Sequence, residues 1–154
     1  MNEDNLTKVY VDLPNSEEVG GESLWAEDLG GDLYRIRNVP FYAFGLNFYD
    51  VVYAKSKSDD LKPSVIKVQL PSGHRTLRVI FTDESTKEER INRLKELNKY
   101  KAYHENANGV LFAIDVEAGG DYEAVCDMLY EWENQEILSY ETCEARIEGS
   151  FDAN

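Results

Sequence analysis

The sequence is poor in the residues that form catalytic, metal and disulfide sites. Among 154 residues, the only cysteines are Cys126 and Cys143, and the only histidines are His74 and His104. No cysteine belongs to a CxxC pair, and no histidine is flanked by Cys or Asp at metal-ligand spacing, so the pattern predicts neither a zinc site nor a disulfide framework. A Cys-His nucleophile pair would require the tertiary structure to bring two distant residues together. We therefore expect no catalytic residue, no bound metal and no cofactor.

Phosphate-binding loops and long apolar segments are also missing. The glycine pairs at residues 20–21, 30–31 and 119–120 fit neither GxGxxG nor GxxxxGK[ST], so they indicate no nucleotide cradle. No stretch approaches the roughly 18 apolar residues of a membrane-spanning helix. The first residues, MNEDNLTKVYVD, carry neither the basic n-region nor the apolar h-region of a secretory signal. These absences predict a cytoplasmic protein that does not bind a membrane and is not an enzyme.

Positive charge is scarce, above all near the C-terminus. The chain has 16 Lys and Arg residues against 30 Asp and Glu residues, a net charge of −14. From residue 102 onward, Arg146 is the only base against 13 acids. Such a surface repels nucleic acid and anionic lipid, and it attracts basic protein partners and speeds their encounter. Solubility alone is an alternative explanation of the same charge.

Residues 1–72 are predicted to form a β-rich subdomain. Short runs of alternating polarity are separated by Pro, Gly and charged turns, a pattern typical of a small barrel or a curled sheet. The densest aromatic segment lies between Phe41 and Tyr53 and is expected in its core. The five predicted strands are Lys8–Leu13, Glu22–Glu27, Leu33–Val39, Val51–Ser56 and Pro63–Leu70.

Residues 73–154 are predicted to form a second subdomain, in which helical periods appear. Ser85 and Glu88 fit a capping box that begins an amphipathic helix, and Asn108-Gly109 indicates a two-residue hairpin turn. The predicted elements are a strand at His74–Thr82, a helix at Thr86–Asn98, strands at Tyr100–Asn106 and Val110–Val116, a helix from Asp121 to Asn134, and a strand within Glu136–Ile147. Their β-α-β-β-α-β order is that of the split βαβ, or ferredoxin-like, motif.

The predicted fold class is therefore α+β, with the β-rich N-terminal half packed on the ferredoxin-like C-terminal half as one compact unit. The eight residues expected in the core are Trp25, Phe41, Val52, Val79, Leu94, Phe112, Ile114 and Leu129.

The second predicted helix carries an unusual charge pattern. Glu123, Asp127 and Glu131 recur every four residues on the face opposite its apolar residues. Like charges at this spacing destabilise an isolated helix by about 0.2–0.5 kcal/mol each. The stripe is therefore either a solvated face or a surface that meets cations. We predict that these three acids, together with Glu141 and Glu144, bind a basic protein partner.

Four motifs, ESLWAE, NVPFYA, DVVYA and SGHRTLRV, resemble those of a bacterial family known as domain of unknown function 4265. The matching residues are Glu22, Ser23, Trp25, Ala26, Asn38, Pro40, Phe41, Ala43, Asp50, Val52, Ser72, Gly73, Thr76, Arg78 and Val79. The resemblance extends over about residues 8–145. It implies a small bacterial protein, and it implies that some members serve as immunity proteins beside secreted toxins, but it implies no activity.

Two hypotheses from different classes follow. The first is a cytoplasmic immunity protein that binds and neutralises a cognate, basic toxin through an acidic surface, covering a groove meant for phosphates. The alternative is a small-molecule-binding or regulatory module without catalytic activity. The gene beside this one would distinguish them, since a large secreted protein with a C-terminal toxin domain favours the first hypothesis.

Overall fold

The computed structural model describes residues 6–59 and 61–153, which fall into two compact units. The first unit runs to His74 and includes the tail from Glu144; the second is Arg75–Cys143. Within the described residues the chain forms nine strands in two sheets and two α-helices. The predicted α+β class is confirmed. None of the helices in this part of the chain is both long and apolar enough to cross a membrane.

The first unit is a five-stranded closed barrel. Its strands are β1 (Leu6–Asp12), β2 (Gly21–Gly30), β3 (Leu33–Ile36), β4 (Val51–Ser56) and β5 (Pro63–Leu70). Neighbours along the chain pair antiparallel, and a parallel contact between Tyr10 and Ser64 closes the barrel. Gly31 and Asp32 connect β2 to β3 with φ values of +64° and +67°. Two left-handed residues are what a type I′ hairpin turn requires, so this dipeptide sets the register of the hairpin.

Alternation along β2 corrects the prediction for Trp25. Glu22, Leu24 and Ala26 point into the barrel and are buried, whereas Trp25 lies on the outer surface and is 45% exposed. Side chains of a strand alternate between faces, so Trp25 could enter the core only if Leu24 left it. Phe41, also expected in the core, is half-buried. The other six predicted core residues are buried as expected.

The C-terminal tail belongs to the barrel unit, whereas the prediction placed all of residues 73–154 in the second subdomain. The Phe44 amide donates to the Phe151 carbonyl at 2.9 Å, and the Asn15 amide donates to Asp152 Oδ2 at 3.1 Å. A Cβ at Gly45 would lie 2.8 Å from the Cβ of Ala145, so only glycine permits this approach. Hydrogen bonds between residues more than 100 positions apart leave no periodic signal in the sequence.

The second unit is a four-stranded antiparallel sheet with two helices. Its elements are β6 (Arg75–Phe81), α1 (Lys87–Lys95), a 3₁₀ helix (Glu96–Tyr100), β7 (Ala102–Asn106), β8 (Leu111–Val116), α2 (Tyr122–Asn134) and β9 (Leu138–Thr142). The strands lie in the order β7-β8-β6-β9. The helices supply Leu94, Val125, Leu129 and Trp132 to a core shared with the four strands.

Two local predictions in this unit were wrong by small shifts. The capping box of α1 is formed by Thr86 and Glu89 rather than by the residues just before them. Ser85 does not cap because its hydroxyl donates to Asp83 and accepts from Arg90 Nε. The hairpin between β7 and β8 is longer than two residues, because the Asn108 side chain accepts from two following backbone amides and holds a wider loop.

Candidate functional site

The helix α2 presents opposite chemistry on its two faces. Asp121 begins the helix, with Oδ1 accepting from the Ala124 amide at 3.0 Å. One face buries Val125, Leu129 and Trp132 in the core of the second unit. The apolar spacing that makes the helix amphipathic leaves the other face to water. The three predicted acids of this helix, Glu123, Asp127 and Glu131, are all exposed on that outer face.

A tyrosine that sequence reasoning missed lies among these acids. Tyr130 is 58% exposed, although large aromatic side chains are usually well buried. It is seven residues after Glu123 and three after Asp127, spacings that share a helix face. In the sequence, Tyr130 stands outside the apolar repeat of α2, and this position could have indicated an exposed aromatic residue. We call the set of Glu123, Asp127, Tyr130 and Glu131 the acidic face of α2.

The acids on this face form no ion pair among the described residues, although Glu123 borders the same cavity as Arg75. In the part of the chain that the structure describes, no Lys or Arg forms an ion pair with Glu123, Asp127 or Glu131. The last turn of α2 contains no basic residue either. Glu131 accepts a hydrogen bond from Gln135 Nε2 at 3.0 Å, a neutral donor. The negative charge of the acidic face is therefore left to solvent or to a partner.

The environment of Tyr140 on β9 shows how this negative charge acts on a neighbour. Burial raises the pKa of its phenol, and Cys126, Glu133, Tyr130 and Asp127 raise the pKa further. Glu133 is not part of the acidic face, because its Oε2 accepts from the Tyr140 amide at 3.0 Å. This carboxylate occupies one backbone donor of β9, which is then not available to another strand.

Glu141 and Glu144 lie outside α2. Glu141 Oε1 lies 3.0 Å from Nε of Arg78, whose side chain is buried. A buried guanidinium is costly without a counter-ion, so Glu141 is engaged in stabilising the second unit. Glu144 is exposed but belongs to the tail of the barrel unit. The acidic face of α2 therefore holds three of the five predicted acids, and the toxin-binding role of all five stays a prediction.

A cavity of about 590 Å³ opens at the N-terminal end of α2. It is lined by Arg75, Gly119, Gly120, Asp121, Tyr122 and Glu123. The Arg75 guanidinium carbon lies 3.4 Å from the centre of the Tyr122 ring, so this cation is stacked on an aromatic face. One cation and two carboxylates line the opening, and this mixture selects no ligand by charge.

The histidines and cysteines lie in packed surroundings. Among the described residues, no three His, Cys, Asp or Glu side chains are grouped where they could hold a metal ion. The His74 ring packs on Phe48 and Tyr49 at centroid distances of 5.6 and 5.5 Å. Cys126 and Cys143 are not joined in a disulfide. That none of these groups is catalytic stays a prediction.

His104 should make stability depend on pH. Burial lowers the pKa of its imidazole, with a smaller contribution from Lys95. A folded pKa below the unfolded pKa of about 6.5 means that the unfolded chain binds the proton more readily. His104 therefore contributes stability above that unfolded pKa, which is lost as pH falls through the folded pKa. We expect His104→Gln to lose less stability than wild type between neutral and mildly acid pH in urea titrations. Equal losses in the two proteins would contradict the prediction.

The motif residues of the family resemblance hold the barrel together. The buried carboxylate of Glu22 accepts from the amides of Phe41, Tyr42 and Ala43 at 2.6, 3.1 and 3.0 Å. Asn38 Oδ1 accepts from the Trp25 amide at 2.6 Å. These bonds tie the ESLWAE and NVPFYA segments to each other, which gives both motifs a structural role.

The DVVYA and SGHRTLRV motifs meet in the same way. The buried Asp50 accepts from the amides of Asn47 and Ser72, both at 2.8 Å, and Ser72 Oγ donates to the Phe48 carbonyl at 2.7 Å. Burial raises the pKa of Asp50, and the hydrogen bonds from Ser72 and Asn47 partly offset this rise. These bonds tie the start of the DVVYA segment to the start of the SGHRTLRV segment within the barrel unit.

Comparisons with known proteins give a related fold and a family. A hypothetical protein from Neisseria gonorrhoeae has a similar crystal structure, with a TM-score of 0.76 and 16% sequence identity over 90% of this chain and 94% of that chain. At this identity the likeness shows the fold alone. No curated protein matches the sequence. The model of the family described as "Domain of unknown function (DUF4265)" matches residues 22–140, and the chain belongs to that family.

Proposed function

We propose that this protein is a cytoplasmic immunity protein that binds and neutralises a basic toxin through the acidic face of α2. The observation that carries the proposal is the row of three exposed carboxylates, Glu123, Asp127 and Glu131, with no counter-ion in the described chain. The protein has no catalytic role in this function. It acts by occupying the surface that the toxin needs.

The acidic face weakens the helix that carries it, which favours a binding role over a solvated face. Each pair of like charges four residues apart costs about 0.2–0.5 kcal/mol in an isolated helix. Glu131 also lies near the C-terminus of α2, where the helix dipole disfavours negative charge. A surface needed only for solubility could carry the same net charge at positions without these costs.

Tyr130 supplies what charge alone does not. Carboxylates at the rim of an interface mainly speed association and set its salt dependence. Residues that carry most of the binding energy are more often Tyr, Trp and Arg near the centre of an interface. An exposed tyrosine between carboxylates can lie over an Arg or Lys of the partner while the acids neutralise the surrounding bases. In the acidic face, the carboxylates would speed association with the partner, and Tyr130 would contribute most of the binding energy.

Occupying a cationic surface is sufficient for inhibition. A toxin that cleaves nucleic acid needs a basic groove to bind phosphates. A helix with three carboxylates at regular spacing competes for that groove with the substrate backbone. The complex is then expected to weaken with salt, since exposed charges are screened beyond about 8–10 Å at physiological ionic strength.

The function itself is tested by co-expression. Bacteria that produce the toxin domain encoded beside this gene should grow when this protein is present and stop growing when it is absent. The purified pair should form a complex. Growth arrest in the presence of the folded protein, with no complex detected, would show that the proposal is wrong.

The location of the surface is tested by removing its charge. The triple variant Glu123→Gln, Asp127→Asn, Glu131→Gln should associate with the toxin about tenfold more slowly at low salt and show a weaker salt dependence, because steering is lost. Stability should be unchanged or slightly higher because like-charge repulsion is relieved. Association rates at two ionic strengths provide the measurement.

A matched control separates position from net charge. The variant Glu88→Gln, Glu96→Gln, Glu117→Gln removes three exposed acids of the same unit without touching α2. It should retain most of the wild-type association rate. Equal slowing in both triple variants would mean that overall charge, and not the acidic face, guides the encounter.

A cavity in the barrel unit favours the second candidate function, a small-molecule-binding module. Its volume is about 370 Å³, within the range of small-ligand sites. It is lined by Tyr10, Lys57, Leu61, Lys62 and Ser64, two of which are cations. Native mass spectrometry of the freshly purified protein would detect a retained anionic ligand; a spectrum of ligand-free protein alone would count against this candidate.

A further inference from the structure

The strand β5 closes the barrel over only part of its length. It pairs with β4 from Pro63 to Leu70, but β1 reaches it at a single position, where Tyr10 lies opposite Ser64. The two strands run parallel and β1 ends at Asp12, two residues beyond that contact. In the described part of the chain, residues 66–70 form backbone hydrogen bonds with no element other than β4. The second half of β5 is therefore a free edge.

Apolar side chains border this edge instead of the charges that usually protect one. Ile66 is 52% exposed and Leu70 is 61% exposed. Edge strands are normally shielded by charged residues, Pro, β-bulges or short length, because an open apolar edge pairs readily with another strand. Here Lys67 is the only charged residue between Ile66 and Leu70. An exposed edge with two large aliphatic side chains indicates an interaction surface.

Two irregularities in the β4–β5 register contribute to this exposure. Along β4, Tyr53 and Ala54 pair with Lys67 and Val65, so Ile66 is an extra residue in β5. Gln69 is a second extra residue, between the partners of Val51 and Val52. A bulge redirects a side chain and increases local twist. The extra residue at Ile66 turns this side chain outward beside the buried Val65.

We propose that the free edge of β5 pairs antiparallel with β5 of a second copy of this chain, with Val68 on the two-fold axis. In that register Ile66 lies opposite Leu70 of the second copy, and Leu70 lies opposite its Ile66. Lys67 lies opposite Gln69, so no like charges meet. The segment is thus complementary to itself, as an interface with two-fold symmetry requires.

The charge distribution also favours this segment as the contact between two acidic chains. Residues 61–74, the stretch of the barrel unit that contains β5, hold two bases and no acid, although the whole chain carries a net charge of −14. Pairing here brings the copies together where their mutual repulsion is weakest. Because the remaining repulsion is screened by salt, dimerisation should strengthen as ionic strength rises. An acidic peptide bound beside Lys62 and Lys67 would show the opposite salt dependence.

Sedimentation equilibrium of the full chain tests the surface. Wild type should dimerise, and Ile66→Lys and Leu70→Lys should each raise the dimer dissociation constant about tenfold or more, a loss of about 1.4 kcal/mol. Leu29→Lys is the matched control, since Leu29 is an exposed leucine on β2 of the same barrel. All three substituted side chains are exposed, and circular dichroism confirms that each variant is folded.

Cross-linking tests the register. Opposed residues of antiparallel strands have Cα atoms about 4.5–5.5 Å apart, within the range of a disulfide. Mixing Ile66→Cys with Leu70→Cys under oxidising conditions should therefore give a disulfide between the two variants, while each variant alone should give little. The linked peptides are identified by mass spectrometry.

Three results would overturn the proposal. One is a wild-type chain that stays monomeric at all concentrations and at high salt, including one that binds an acidic peptide instead. Another is a dimer that the two lysine variants leave unchanged, which would place the interface elsewhere. The third is a cross-link that forms as readily within each cysteine variant as between them, which would show a different register.

Discussion

Replacing Phe112 with alanine should lower the free energy of unfolding by about 3–5 kcal/mol. Phe112 is fully buried in β8, in the core that the second unit builds from its sheet and both helices. Its ring meets Phe81 edge to face at 5.6 Å and 81°, and His104 at 5.8 Å. Alanine would remove the apolar area and both ring contacts, and it would leave a cavity that the sheet cannot close by itself.

The two tryptophans allow this loss to be assigned to one unit. Trp132 lies in the second unit and Trp25 in the barrel, so a Trp25→Phe background leaves a single fluorescence reporter for the unit that contains Phe112. Urea titration of this background with and without Phe112→Ala gives the difference. Tyr103→Ala, which truncates an exposed aromatic of β7, is the control and should cost less than about 1 kcal/mol. A similarly small loss for Phe112→Ala would mean that β8 is not the central packing strand.

Replacing Glu22 with alanine should cost the barrel unit about 3 kcal/mol or more. The carboxylate accepts three backbone amides at once, from Phe41, Tyr42 and Ala43. A buried donor left without its acceptor costs about 1–3 kcal/mol, and hydrogen bonds to a charged group lie at the upper end of net contributions. The three amides belong to one connection between β3 and β4, so that connection should loosen as a unit.

Fluorescence of Trp25 is the direct readout, since Glu22 and Trp25 lie on the same strand. The comparison is Glu18→Ala, an exposed glutamate in the preceding loop, which should change stability by no more than about 0.5 kcal/mol. Glu22→Gln should fall between the two, because it keeps an acceptor oxygen but loses the charge. An unfolding midpoint for Glu22→Ala within error of the control would mean that solvent or a rearranged side chain satisfies the three amides.

Local patterns predicted most of the elements correctly. The strands Val51–Ser56 and Pro63–Leu70 have the predicted bounds, and α2 begins one residue after its predicted start. Alternation, helical spacing and turn residues act over a few positions, so they can be read without the rest of the chain. The same logic located the exposed acids of α2 opposite its buried residues.

Errors occurred where two local explanations competed or where burial depended on distant residues. Ser85 and Thr86 both fit an N-cap, and the choice was decided by Arg90 and Asp83, which engage the serine hydroxyl. Trp25 was expected in the core, although the alternation of β2 turns it outward. Size predicts burial on average, but the register of a strand decides it in each case.

In the candidate site, too, local spacing predicted some features and contacts between distant residues decided others. The three acids of α2 could be predicted from their spacing, because helix geometry alone places them on one face. The ion pair of Glu141 could not be predicted from sequence, because its partner Arg78 lies 63 positions earlier and meets it only through the pairing of β6 with β9. A carboxylate looks the same in a sequence whether it faces solvent or neutralises a buried guanidinium.

By itself, the sequence determined the α+β class, the amphipathic faces of both helices, the excess of negative charge and the family to which the chain belongs. Only the tertiary structure decided that the motif residues Glu22 and Asp50 hold barrel connections, that the tail returns to the first unit, and that half of β5 has a free edge. The physical reason is the distance along the chain over which each interaction acts. Periodicity and turn chemistry are properties of neighbouring residues, whereas hydrogen-bond satisfaction, charge pairing and strand edges depend on which distant segments meet, and folding alone brings those segments together.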